Sequence, residues 1–288
     1  MQAIANKVYI EDQYPGVTLG AIALPHGLIQ IDSPPSSEDS RSWRAALLSL
    51  NTGVERLLVN LDSHPDRTLG ARAMDCTVIA HEKTAQAFRN RPNTFKAQGD
   101  ETGAAWENVA GLGSVRWFPP EITFTARMVI DWSNTPVVLE SHPGPASGAI
   151  WAILPDEKVV FIGDLVLRNQ PPFLANANLP AWITALEALL EPRFQNYAIV
   201  SGRGGVVAES TIRGQLALMK TIHEQLEALS KKQAGPAATE SLVQPILGDT
   251  HSPADRQKQH AQRLTYGLYH YYARHYQSSG AGSEEEEE

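Results

Sequence analysis

Two apolar runs, 17–24 and 27–31, separated by Pro25-His26, predict a pair of strands closing on a turn. Asp32-Ser33-Pro34-Pro35 breaks the sheet, and Trp43, Ala46, Leu47 and Leu50 then recur at helical spacing. Residues 56–61 are a short run of the buried-strand type, followed by a polar loop at 62–68. A strand at 77–80 leads into a helix at 83–89, and the runs 122–130 and 136–140 resemble a hairpin of edge strands. Strands at 149–154 and 159–162 flank the turn Pro155-Asp156-Glu157-Lys158, and Gly163-Asp164 ends the second of them. An amphipathic helix at 179–190 precedes a strand at 197–200 and the loop Ser201-Gly202-Arg203-Gly204-Gly205. Two long helices close the chain, the last predicted to start with Ser252 as its cap, Pro253 at the first helical position and Asp255 three residues after the cap. Strands alternating with helices in this way predict an α/β (α+β) fold.

Length and composition narrow the class. With 288 residues, 42% of them hydrophobic, the chain can bury a large core. Neither an internal repeat nor an interdomain linker interrupts the pattern, so a single unit with C-terminal helices is expected over 1–277. Residues 278–288 are a small-residue run ending in like charges and are expected to form a disordered acidic tail. Lys and Arg number 24 against 32 for Asp and Glu, and the formal net charge of −8 argues against nucleic acid as a partner. The single cysteine, Cys76, has no internal disulfide partner and is expected to be a buried, inert thiol. No stretch approaches the roughly 20 apolar residues of a membrane helix, and no basic segment followed by an apolar run opens the chain, so a soluble cytoplasmic protein is expected.

The loops at strand ends carry the candidate chemistry. In Asp62-Ser63-His64-Pro65-Asp66-Arg67, residues 62, 64 and 66 alternate. An extended chain would turn their carboxylate, imidazole and carboxylate toward one point, a donor set suited to a divalent cation. The glycines of 202–205 lack the G-x-x-x-x-G-K pattern of a phosphate cradle. The aromatic residues of 266–276 read as helix packing, with a subunit contact and hence a homo-oligomer as a further option.

Four segments in order carry a resemblance to a known family: Leu61-Asp62-Ser63-His64-Pro65-Asp66-Arg67; Val78-Ile79-Ala80-His81; the strand-turn-strand from Ile153 to the Gly163-Asp164 pair; and Ile199-Val200-Ser201-Gly202-Arg203-Gly204. Together they resemble the metallo-β-lactamase superfamily, whose first motif is T-H-x-H-x-D-H. The resemblance implies a four-layer αβ/βα sandwich with a metal cleft at one edge of two packed sheets. It implies His64, Asp66 and the bridging Asp164 as retained ligands, with Asp62, Arg67 and Arg203 standing where three histidines are expected. The downstream histidine is also missing from Ser141-His142-Pro143-Gly144-Pro145, where His142 is an accessory candidate that would serve after a loop rearrangement.

Arginine offers donors only and cannot ligate a cation. The resemblance therefore implies that Arg67 and Arg203 fill the second metal site and pair with Asp66 and Asp164. Two readings follow. In one, the chain has lost dinuclear hydrolysis and binds a small anionic ligand or a protein partner, with no cofactor. In the other, Asp62, His64 and Asp164 hold one weakly bound zinc, manganese or iron ion, and Asp66 orients its hydroxide toward an ester, thioester or phosphoester.

Overall fold

The computed structural model describes residues 1–92, 94–95, 102–132 and 135–277. Strands β1 (Gln2–Ala5), β2 (Val8–Glu11), β3 (Leu19–Ala23) and β4 (Gly27–Ile31) form an antiparallel meander. Strands β5 (Glu55–Val59), β6 (Thr77–His81) and β7 (Ile122–Phe124) extend it in parallel, giving a seven-stranded sheet in chain order. The second sheet holds β8 (Arg127–Ile130), β9 (Val137–Ser141), β10 (Ile150–Leu154), β11 (Val159–Phe161), β12 (Ala198–Ser201) and β13 (Gly205–Val207), in the spatial order β13-β12-β11-β10-β9-β8. The second sheet is antiparallel except for the β11–β12 pair.

Side chains of alternate strand positions interdigitate between the two sheets, among them Ile22, Ile29 and Val59 from the first and Leu139, Ala152 and Phe161 from the second. Each outer face is covered by helices. Trp43 and Leu47 of α1 (Ser37–Leu47) pack with Leu28, Leu58 and Val78 of the first sheet, joined by Ala71 and Met74 of the short α3 (Ala71–Met74), which follows α2 (Pro65–Thr68). On the other side α5 (Leu179–Leu189), α6 (Glu209–Lys231), α7 (Val243–Asp249) and α8 (Gln257–Tyr272) cover the second sheet. The α4 helix (Glu82–Arg89) follows β6. The result is the αβ/βα four-layer sandwich that the resemblance implies.

Four expectations need correction or placement. The run 122–130 is not one arm of a hairpin: it splits between β7 in the first sheet and β8 in the second, so the chain crosses between sheets there. Ser252 does not cap the last helix. Its Oγ pairs with Thr250 Oγ1 and His260 Nδ1, and a 3-10 turn, Ala254–Arg256, intervenes before α8. The acidic segment 278–288 lies outside the described residues. Cys76 is partly rather than fully buried; burial, with Asp75 adding to it, pushes its thiol up to about 11, so it stays protonated. No helix among the described residues is long and apolar enough to cross a membrane.

Candidate functional site

The parallel strands β4 and β5 of one sheet and β11 and β12 of the other end near one another, and the residues just beyond those ends assemble the site. Asp32 follows β4, Asp62 and His64 follow β5, Asp164 follows β11, and Arg203 follows β12. Backbone bonds tie the ends together, Ile150 N–H donating to Leu61 O (2.9 Å) and Gly202 N–H to Gly163 O (2.7 Å).

Beyond β5 the chain does not remain extended. Pro65, with its fixed φ, opens the single-turn helix α2 with His64 as its N-cap residue. Asp66 therefore does not converge with Asp62 and His64, which corrects the reading of residues 62, 64 and 66 as one alternating set. Asp66 Oδ2 accepts from Arg203 Nη2 (2.7 Å) and Oδ1 from the Trp106 N–H (3.2 Å). Asp62, His64 and Asp164 do meet, with one ligand-type atom from each lying within 4.8 Å of the others.

Arg67 is fully buried and surrounded by carboxylates. Its Nη1 donates to Asp32 Oδ2 (2.8 Å), its Nη2 donates to Asp164 Oδ1, and its Nε lies 3.1 Å from Asp62 Oδ1. The Arg67 carbonyl accepts from Ser33 N, Ser33 Oγ and Asn60 Nδ2, so the backbone that carries the guanidinium is held as well. Gly202 makes room for it: a Cβ there would stand 2.7 Å from Arg67 Nη1. Arg203 reaches Asp164 through Nε, 2.9 Å from both carboxylate oxygens, and Gly16 O through Nη1 (2.9 Å). Its guanidinium lies over the Phe173 ring at 4.5 Å. Gly16 (φ +77°) is also forced by space, since a Cβ would sit 2.7 Å from Asp66 Oδ1.

Taking ions out of water costs several kcal/mol each, and only close pairing offsets that cost. The protonation pattern follows. Burial pushes the Asp62 carboxyl up, but Arg67 and then His64 more than reverse this and hold it well below the usual range. Asp164 behaves likewise: burial raises it, and Arg203 and Arg67 bring it below normal. Burial lowers both arginines, but the surrounding aspartates override it, so both hold their protons more tightly than usual. Burial lowers His64 and the neighbouring Asp62 outweighs it, favouring imidazolium. Burial dominates at Asp32, which rises to about 7 despite Arg67.

This geometry bears directly on metal binding. Arg67 and Arg203 present donors and no lone pair, and both oxygens of Asp164 already accept from guanidinium groups. Asp62 Oδ2 is buried without a hydrogen-bond partner among the described residues, and His64 Nδ1 lies 3.0 Å from Asp62 Oδ1 and 3.6 Å from Asp164 Oδ2. His142 does not join the cluster. It stacks on Trp151 (centroids 3.6 Å apart) and lies 3.5 Å from Glu140, so its aromatic face is committed to the core under α5.

Sequence reasoning missed Asp32, read only as a sheet breaker. Its signal was an acidic residue directly after a buried strand; its φ of 60° and the Leu61 N–H donated to its Oδ1 (2.9 Å) fix it against Arg67. Arg91 and Arg263, which line the adjoining cavity with His64, Asp66 and Phe173, were also missed.

Comparison with known proteins agrees with the architecture. Residues 63–206 of the 288 match the family model described as the metallo-beta-lactamase superfamily. A metallo-beta-lactamase from Pontibacter korlensis superposes with a TM-score of 0.60 at 20% identity, over 76% of this chain and 97% of that one. The stereoselective inverting sec-alkylsulfatase Pisa1 from Pseudomonas sp. superposes with a TM-score of 0.71 at 15% identity, over 95% of this chain, which spans about half (49%) of the sulfatase. DIM-1 metallo-beta-lactamase gives a TM-score of 0.57 at 14% identity, over 76% of this chain and 96% of that one. A search of curated protein sequences finds no match. At these identities the structural likenesses speak for the fold alone, and it is the matched segment, spanning the polar loop after β5 through β13, that settles kinship: the chain belongs to the metallo-β-lactamase superfamily.

Proposed function

We propose that this metallo-β-lactamase-fold, hydrolase-like protein has exchanged its dinuclear metal site for arginine, and that its cleft binds a small ligand or a partner rather than hydrolysing one. The observation that carries the reading is Arg203, whose guanidinium bridges Asp164 and Asp66, the two carboxylates retained at the second-site positions. A fixed cation there supplies the positive charge that clustered carboxylates need, without an ion. An anionic ligand would not be held by Arg67 and Arg203 themselves, because both are buried and already paired.

A second reading keeps one metal. It draws support from the 4.8 Å grouping of Asp62, His64 and Asp164 and from the unpartnered Asp62 Oδ2. Such an ion would supply an activated water for a mononuclear metal-dependent hydrolase, and the fold likeness to an alkylsulfatase adds a sulfate ester to the ester, thioester and phosphoester substrates to assay. Elemental analysis of protein equilibrated with zinc, manganese or iron and then dialysed separates the two. The first reading expects well below one ion per chain and no turnover of any of these substrates. Stoichiometric metal that is lost in His64→Ala, together with metal-dependent turnover, would establish the second.

A further inference from the structure

This inference rests on the reading of the arginine cluster as self-contained, since a ligand beside it must then be recognised by other groups. Those groups are present. A cavity of about 340 Å³, within the size range of small-molecule sites, adjoins His64 and Asp66. Its aromatic lining includes Phe95, Trp106, Trp117, Phe173 and Tyr266. Phe95 packs edge-on against Trp106 (4.9 Å, 79°) and Trp117 (5.4 Å, 89°), which fixes these rings against one another.

Two arginines line the same cavity, and neither has an ion-pair partner among the described residues. Arg263 on α8 is 3% exposed; its donors go to the carbonyls of Gly103 (3.0 and 3.1 Å) and Pro171 (3.1 Å) and to Gln170 Oε1 (2.9 Å). Its guanidinium lies 3.9 Å from the centre of the Phe173 ring. Arg91 donates to Ser63 O (2.9 Å) and lies over Trp117 at 4.7 Å. All of these acceptors are neutral. Burial, with the nearby Arg203 adding to it, pushes Arg263 down to about 9, and burial lowers Arg91 too, the reverse of the upward shift at Arg67 and Arg203. Asp66, Asp164 and Glu107 act on Arg263 without ion-pair contact and do not outweigh burial and Arg203, and the Asp66 oxygens are already bonded to Arg203 and the Trp106 N–H. A buried and a half-buried cation facing an aromatic cavity, neither ion-paired among the described residues, point to a ligand that brings a counter-charge.

We propose that this cavity binds a small amphipathic anion, an aromatic body seated among Phe95, Trp106 and Trp117 with a single oxyanion head group held between Arg91 and Arg263.

Isothermal titration with 2-naphthoate, 2-naphthalenesulfonate and the neutral 2-naphthamide tests this, on full-length protein in EDTA. The carboxylate and sulfonate arms decide which oxyanion geometry the two guanidinium groups prefer. At least one anion should bind one per chain and about tenfold or more tightly than the amide, the range expected of a charge-assisted hydrogen bond. Arg91→Gln and Arg263→Gln should each weaken the anion about tenfold and leave the amide unchanged. Arg91 is the safer variant because it is only half-buried, and circular dichroism verifies the fold of both. Equal affinity for anion and amide, no binding of either anion, or equal loss of anion and amide binding in folded Arg91→Gln would overturn the proposal. If anions bind only when zinc is restored, the head group sits on a metal, and both this proposal and the arginine-for-metal reading fall. Stoichiometric zinc with anion binding unaffected by chelation would remove the latter alone.

Discussion

Arg203 touches Asp164, Asp66 and the Gly16 carbonyl at once, so its removal leaves buried Asp66 without an ion-pair partner among the described residues and Asp164 with Arg67 as its remaining guanidinium. Arg203→Ala is expected to cost about 3–5 kcal/mol, read from urea denaturation, because breaking a buried pair strands its partner charges. Arg203→Lys should recover only part of this, since an ammonium on a flexible stem cannot serve all three acceptors. A cost within about 1 kcal/mol for the alanine variant, the range of an exposed pair, would contradict the geometry. The pH dependence comes from the same cluster. Asp32 is raised to about 7 on folding, chiefly by burial, so the folded state binds its proton more tightly and stability falls as pH rises from near 4 through about 7. At His64, burial acts downward and Asp62 upward, with a net rise; the stability it contributes is present below its unfolded value and is lost as pH rises through the folded one. Both slopes have the same sign, whereas His81, His142, His260 and His275 are lowered by burial and act oppositely below about pH 6.5. Urea midpoints should therefore decline from about pH 7 to about pH 8, and Asp32→Asn should flatten that decline. Asp62 and Asp164, both held low, act at the acid end, where their contribution disappears only as pH falls through their folded values.

At the scale of elements, helical periodicity was legible, whereas the one cap read from the sequence, Ser252, was not. The periodicity of residues 179–190 places α5 almost to the residue, and Asn178 caps it, its Oδ1 accepting from Ala181 N–H (3.0 Å). Asn178→Ala should therefore cost about 1 kcal/mol in thermal or chemical unfolding, the usual worth of an N-cap. Ser252 carries the same kind of signal and fails, because its hydroxyl is taken by His260 Nδ1 (2.9 Å) and Thr250 Oγ1 (3.0 Å), neither of which the local pattern announces. The loop after β5 failed for a related reason. Alternation at 62, 64 and 66 suggested convergence, but Pro65 is pre-set for a first helical position, and one turn of helix sends Asp66 to Arg203 and Arg67 to Asp32. Run 122–130 reads as continuous β pattern, yet its halves pair in different sheets, and pairing is not encoded in the period of a single strand.

For the whole molecule, the layered fold and the pairing of Arg67 and Arg203 with Asp164 and Asp66 were legible because the family's segments recur in order, setting Asp164 and Arg203 just beyond strands and Asp66 and Arg67 in the first turn after one. The cavity was not. Arg263 arrives from α8 in the last layer, nearly two hundred residues beyond His64, and Arg91 from the end of α4, with nothing in either local sequence to mark them as neighbours. Asp32 was similarly hidden, since its role exists only once β4 and β5 lie side by side and Arg67 turns back between them. The central claim is that protein cations occupy the place of the second metal. Crystals equilibrated with zinc and measured on both sides of the zinc absorption edge test it directly. The account predicts no anomalous peak within bonding distance of Asp66 or Asp164, with Arg203 still bridging them. A peak coordinated by those two carboxylates, with Arg203 swung away, would contradict it.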